Sequence, residues 1–85
     1  MKVGVYSLQR ILFQGNATLV NCKTTMGEIT ILDHHRPLIS ILAKCVMRVV
    51  DEERKEWYIP VASGFLEVRS GQEALFLVEE DDRQV

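Results

Sequence analysis

Apolar residues alternate with polar or small ones along most of this chain, and no segment sustains a spacing near 3.6 residues. Alternation puts successive side chains on opposite faces of an extended strand. On this ground residues 3–8 (VGVYSL), 17–23 (ATLVNCK), 28–32 (EITIL), 65–69 (FLEVR) and 74–80 (ALFLVEE) read as strands. Residues 38–42 and 45–50 join them through their β-branched content, and 57–61 through the alternation around Trp57, Ile59 and Val61. Pro60 lacks an N–H, so its strand lies at an edge or ends there. Turn compositions separate the runs at 14–16 (QGN), 24–27 (TTMG), 51–55 (DEERK), 63–64 (SG) and 70–72 (SGQ). Turn signals spaced roughly 8–12 residues apart predict a β-sandwich or barrel. The chain therefore reads as a single all-β domain over 1–85, with its core over about 3–79 and a polar, frayed tail over 80–85.

Composition narrows the partners. The 85 residues are 47% hydrophobic and 26% charged, the balance of a folded globule. The net charge is −2, and acids gather at 51–53 and 79–82. Lys44, Arg48, Arg54 and Lys55 are interrupted by acids, so no basic stripe exists to neutralise phosphates, and nucleic acid is excluded as a partner. Cys22 and Cys45 each sit in an apolar run, as reduced small hydrophobes. With no signal-peptide pattern at Met1-Lys2-Val3, the expected location is the cytosol or a surface facing it. No apolar run is long enough to span a bilayer, so membrane association is peripheral and passes through a partner.

Chemistry-bearing residues concentrate in 27–38, GEITILDHHRPL. In an extended strand His34 and His35 point to opposite faces and cannot easily hold one ion together, while Asp33 and His35 alone make too small a ligand set for a metal. Ser63-Gly64 lacks the G-x-S-x-G elbow, and the glycines stand singly at turns rather than in a phosphate loop. The residues thus carry no catalytic, cofactor or metal set. What remains is a contact surface. The alternative is a free-standing module that senses a metal or small ligand at the Asp33-His34-His35 corner.

The order of blocks is more specific. Phe13-Gln14-Gly15, the T-x-x-G-E-I-T-I-L-x-x-H-x-P-L-I pattern from Thr24 to Ile39, Val46–Val50 and the A-S-G-F-L-E-V of Ala62–Val68 follow with hardly a gap from Val3 to Val78. This series resembles the N-terminal β-sandwich domain of the epsilon subunit of F-type ATP synthases, called delta in mitochondria. The resemblance implies a flattened antiparallel sandwich of two roughly five-stranded sheets, without catalytic residues or cofactors of its own. It implies a place at the foot of the rotating central stalk, bound to the gamma subunit and to polar loops of the c-ring, coupling proton or sodium flow to ATP synthesis. That place is peripheral, at the cytoplasmic face of the inner membrane. By position, Met26 and Glu28 fall where the family faces the c-ring, and Ser7, His35 and Ser40 where it faces gamma. The helical hairpin that follows in family members, inhibitory and in some bacteria ATP-binding, has no counterpart in these 85 residues, so neither activity is expected of them. Asp33-His34 stands where Pro-Gly is usual in the family and Arg36 where a small residue is usual, which predicts a differently shaped and charged turn. Cys45 stands where glycine is common, which predicts a departure in the following hairpin.

Overall fold

The computed structural model describes residues 1–70 and 72–81. Seven strands account for most of them: β1 (Lys2–Tyr6), β2 (Ile11–Thr24), β3 (Gly27–Leu32), β4 (Leu38–Leu42), β5 (Cys45–Asp51), β6 (Glu56–Arg69) and β7 (Glu73–Glu80). Two expected turns, 14–16 and 63–64, do not reverse the chain. Both lie inside strands of 14 residues, β2 and β6, next to register shifts at Ala17/Leu19 and Val61/Ser63. Such bulges bend a strand and let it pass from one sheet to the other.

These bends create two layers from one hydrogen-bonded network. The first layer runs from the first half of β2 through β1, β7 and the second half of β6 to β4. The second layer consists of β3, the second half of β2, β5 and the first half of β6. The expected pair of roughly five-stranded sheets is therefore five and four strand segments, continuous through β2 and β6. One pairing departs from the antiparallel expectation: β1 and β7 are parallel, from Lys2↔Glu73 to Tyr6↔Leu77. The half of β6 with Pro60 pairs only with β5 until Val61 meets Glu80, so the proline does lie on an edge.

Inward alternation builds one core. Val3, Val5, Leu66, Val68, Ala74 and Phe76 face inward from the first layer, and Val20, Cys22, Ile31, Met47, Val49 and Val61 from the second. Phe13 meets Trp57 edge-on, with ring centroids 5.6 Å apart, where the open sides of the two layers come together. The indole Nε1 donates to Asp51 Oδ2, and Lys55 Nζ lies 4.2 Å from the ring centroid, so the 51–55 hairpin is clamped onto the edge of the core. The core begins earlier than expected, since Met1 is buried. Asp81, read as frayed tail, is half-buried, and its carboxylate lies 3.6 Å from Lys44 Nζ. Residues 82–85 of that tail lie outside the described residues. Among the described residues no helix is long and apolar enough to cross a membrane.

Both cysteines are free thiols, Cys22 buried and Cys45 half-buried. Burial, with a smaller contribution from Cys45, pushes the Cys22 thiol up from 9.0 to about 12. The native state holds that proton after the unfolded chain has released it, so stability falls as pH rises from 9.0 towards about 12. Because the thiolate is the reactive form, a maleimide or disulfide reagent at pH 8 should label Cys45 and leave Cys22 untouched until the chain is unfolded. Equal labelling of both in the native protein would contradict this packing.

Candidate docking surface

The outer face of the first layer is apolar across three neighbouring strands. Ile41 of β4 pairs with Phe65 of β6, and Phe65 pairs with Leu77 of β7, which puts the three side chains in one row. They are 53%, 59% and 52% exposed, and Ile39, one step along β4, is 75% exposed. Tyr6 extends the row on β1. Its ring lies back over Gly4, where a Cβ would strike it, and its hydroxyl accepts a hydrogen bond from Gln14. An apolar row of this kind on a sheet face is a candidate docking surface.

The outer face of the second layer contrasts with it. Although Val46, Tyr58 and Leu32 are exposed there, its middle is a set of polar groups that satisfy one another. Glu56 accepts from the Tyr58 hydroxyl at 2.6 Å and from Arg48 at 3.3 Å, and these two bonds hold its carboxyl below the usual range. Asn21 donates to Glu28 at 3.0 Å and to the Thr30 hydroxyl at 2.9 Å.

Turns fix the surroundings. A ladder row from Thr24 through Leu42 and Gly64 to Val78 defines one end of the layers. The Thr25–Met26 and Ala43–Lys44 turns lie at this end, as does the Ser7–Arg10 turn that shares two hollows with Val78 and Glu79. The opposite end carries Met1, Asp33, Glu52 and Gln72. Met26, 91% exposed, tips its turn; below it the buried Thr24 hydroxyl donates to the Gly27 carbonyl and accepts from the Met26 amide. Glu28 follows on β3 with its carboxylate held by Asn21.

Ser7 works as a turn-former. Its Oγ accepts from the amides of Gln9 and Arg10, and its own amide donates to the Arg10 carbonyl at 2.9 Å. Arg10 is in turn anchored by two bonds to Glu80, at 3.2 and 2.7 Å, which draw the Glu80 carboxyl down. Ser40 lies between the outward Ile39 and Ile41, so it points to the inner side and is half-buried. His35 sits at the opposite end, in the β3–β4 connection. Its Nδ1 donates to the Arg36 carbonyl at 2.8 Å, which fixes the ring's orientation. Ser7, His35 and Ser40 thus do not touch. They rim one layer, two at its opposite ends and one in its edge strand, with the apolar row between.

The Asp33-His34-His35 corner does not converge on a common point. Asp33 takes the Met1 ammonium at 2.7 Å, and that hydrogen bond holds its carboxyl below the usual range. The His34 ring faces Gln72, with its backbone at φ +66°, while His35 turns to Arg36. Among the described residues no three His, Cys, Asp or Glu side chains are placed to hold a metal ion.

Alternation alone missed the apolar row. Its signal was present in β4 (LISIL) and β7 (EALFLVEE), where both odd and even positions are apolar. A strand apolar on both parities is either buried on both faces or offers one to a partner.

Residues 1–80 match the family model for the ATP synthase delta/epsilon chain, beta-sandwich domain. The chain is 35% identical over 79 residues to the ATP synthase epsilon chain of Brevibacillus brevis, covering 93% of this chain and 59% of that one. It is 41% identical over 69 residues to the ATP synthase epsilon chain of Shouchella clausii, covering 81% and 51%. The chain thus spans between half and three-fifths of the length of these relatives. Its fold is shared with a chain of the Euglena gracilis mitochondrial ATP synthase at a TM-score of 0.83, with 18% identity, covering 89% of this chain and 48% of that chain. It is shared too with a chain of the Tetrahymena thermophila mitochondrial ATP synthase, in a structure of its central stalk and c-ring, at 0.80 with 10% identity, covering 94% and 63%. With a match over nearly its whole length, the chain belongs to the delta/epsilon-chain β-sandwich domain family of ATP synthases.

Proposed function

We propose that the domain is a non-catalytic component of the rotating central stalk of an F-type ATP synthase, docked on the gamma subunit and on polar loops of the c-ring. In that place it transmits rotation and couples transmembrane proton or sodium flow to ATP synthesis. It rides peripherally at the cytoplasmic face of the inner membrane, held there by the complex. The observation that carries this reading is the apolar row Ile41–Phe65–Leu77 on the outer face of the first layer. A single partner that reaches both Ser7 and His35, at opposite ends of that layer, lies across this row and buries it. Family membership supports the same assembly.

The end with Met26 and Glu28 is then the one turned towards the ring. An exposed methionine can adapt to a neighbouring surface, and a carboxylate held in place by Asn21 meets basic ring loops without further ordering. The expected results are co-elution of the purified chain with the gamma subunit, and attachment to the assembled rotor weakened about tenfold or more by Glu28→Lys. Failure to co-elute with gamma, together with ion-driven ATP synthesis unchanged on deletion of the chain, would sink the proposal.

A further inference from the structure

We infer that the corner where the apolar row meets the Ser7–Arg10 turn is a socket for one apolar side chain of the docked stalk subunit, with a lysine or arginine of that subunit beside it on Glu79. The inference rests on the stalk reading above and names where its binding energy concentrates.

A hollow of about 300 Å³ opens at this corner, lined by Tyr6, Leu8, Gly64, Phe65, Leu77 and Glu79 among others. Hollows that enclose small molecules begin at roughly this volume, ~300 Å³, so a shallow one of this size suits a side chain better than a cofactor. Its apolar lining is continuous with the row, since Phe65 and Leu77 belong to both.

Leu8 supplies the second observation. It is 102% exposed, as open to solvent as a leucine in an isolated peptide. The turn that presents it is nevertheless held by hydrogen bonds from Ser7 and by the Arg10–Glu80 pair behind it. A leucine displayed on a turn already fixed loses little entropy when a partner closes on it. It contributes nothing to the core of the isolated domain.

Glu79 supplies the third. Glu28, Glu56, Glu67, Glu73 and Glu80, the other strand glutamates, each engage a side-chain partner. Among the described residues Glu79 has none, and it stands at the hollow. Covering an apolar surface beside an unpaired carboxylate strips that group of water, which opposes docking unless a cation meets it. The occupant therefore combines an apolar side chain with a neighbouring positive charge.

The test is titration calorimetry of the gamma subunit against the full chain and its Leu8→Ala, Leu8→Asp, Glu79→Lys and Ile41→Asp variants. Leu8→Ala should weaken binding about tenfold and Leu8→Asp about a hundredfold, the range of buried anchors at interfaces. Glu79→Lys should weaken it about tenfold and flatten its dependence on salt. Exposed substitutions leave the melting temperature within ~4 °C, so these losses report on binding and not on folding. Wild-type affinity in Leu8→Asp and Glu79→Lys, beside a loss in Ile41→Asp, overturns the socket and leaves the stalk reading intact. If the wild-type chain itself does not bind gamma, both fall together.

Discussion

Gly64→Ala is expected to destabilise the domain by about 3 kcal/mol or more, the sum of backbone strain and overpacking at roughly 1–3 kcal/mol each. Gly64 sits at φ +159°, a conformation that side-chain-bearing residues rarely adopt. A Cβ added there would strike the Leu77 carbonyl oxygen and come within 2.9 Å of Val78 Cα. Both are backbone atoms of β7 and cannot swing aside as a side chain would. Relief requires opening the β6–β7 ladder at Gly64↔Val78, beside the bend that carries β6 between the layers. For a domain whose total stability is on the order of 4–13 kcal/mol, this is a large fraction. Thermal unfolding should show it as a fall of about 12 °C or more. Gly27→Ala is the matching control, at φ +126° with nothing within 4 Å of the added carbon. It pays only for strain, about 1 kcal/mol. Equal losses from the two substitutions would mean that the close approach of β6 to β7 does not matter.

The second large effect is on association. Introducing Asp at both Ile41 and Phe65 places two charges in the centre of the apolar row, where a docked subunit would have to desolvate them. Gamma binding should fall about a hundredfold or more, as expected for central anchors. Both side chains are more than half exposed, so folding loses only their strand preference and cross-strand contact, about 1–2 kcal/mol together. A double variant that folds and still binds gamma at wild-type affinity would remove the face from consideration and send the search to the polar side around Glu56 and Tyr58.

Local chemistry made most of the strands legible. Alternation and β-branched content located a segment of every strand, though β6 was read as two and the first half of β2 was not included. The charged 51–55 tip was a hairpin as its composition required, and Pro60 lay on an edge because a central strand cannot spare an N–H. Gly15 and Gly64 were misread because a glycine-bearing corner within a strand has the same composition as a turn. Which one forms is decided by distant partners, Val3 opposite Gly15 and Val78 opposite Gly64. The parallel pairing of β1 with β7 was invisible for a related reason: alternation states which face is buried, never which strand lies alongside. At the candidate surface, Met26 and Glu28 fell on an exposed turn and on the strand leaving it, as a short polar segment suggests. Ser40 pointed inward because its strand phase is set by Ile39 and Ile41. Asp81 is half-buried beside Lys44, a nonlocal contact that a polar tail sequence does not announce.

The parallel pairing of β1 with β7 also governs when the domain can exist. β1 is synthesised before the other described strands, yet its partner on one side is β7, 71 positions later at Lys2↔Glu73. Until that strand emerges, β1 and the second half of β6 present open edges that invite pairing with other chains. The first layer closes only after synthesis of nearly all the described residues. Pairings this distant in sequence also slow folding, towards milliseconds to seconds. A nascent chain halted before Glu73 is thus an aggregation hazard rather than a half-built domain.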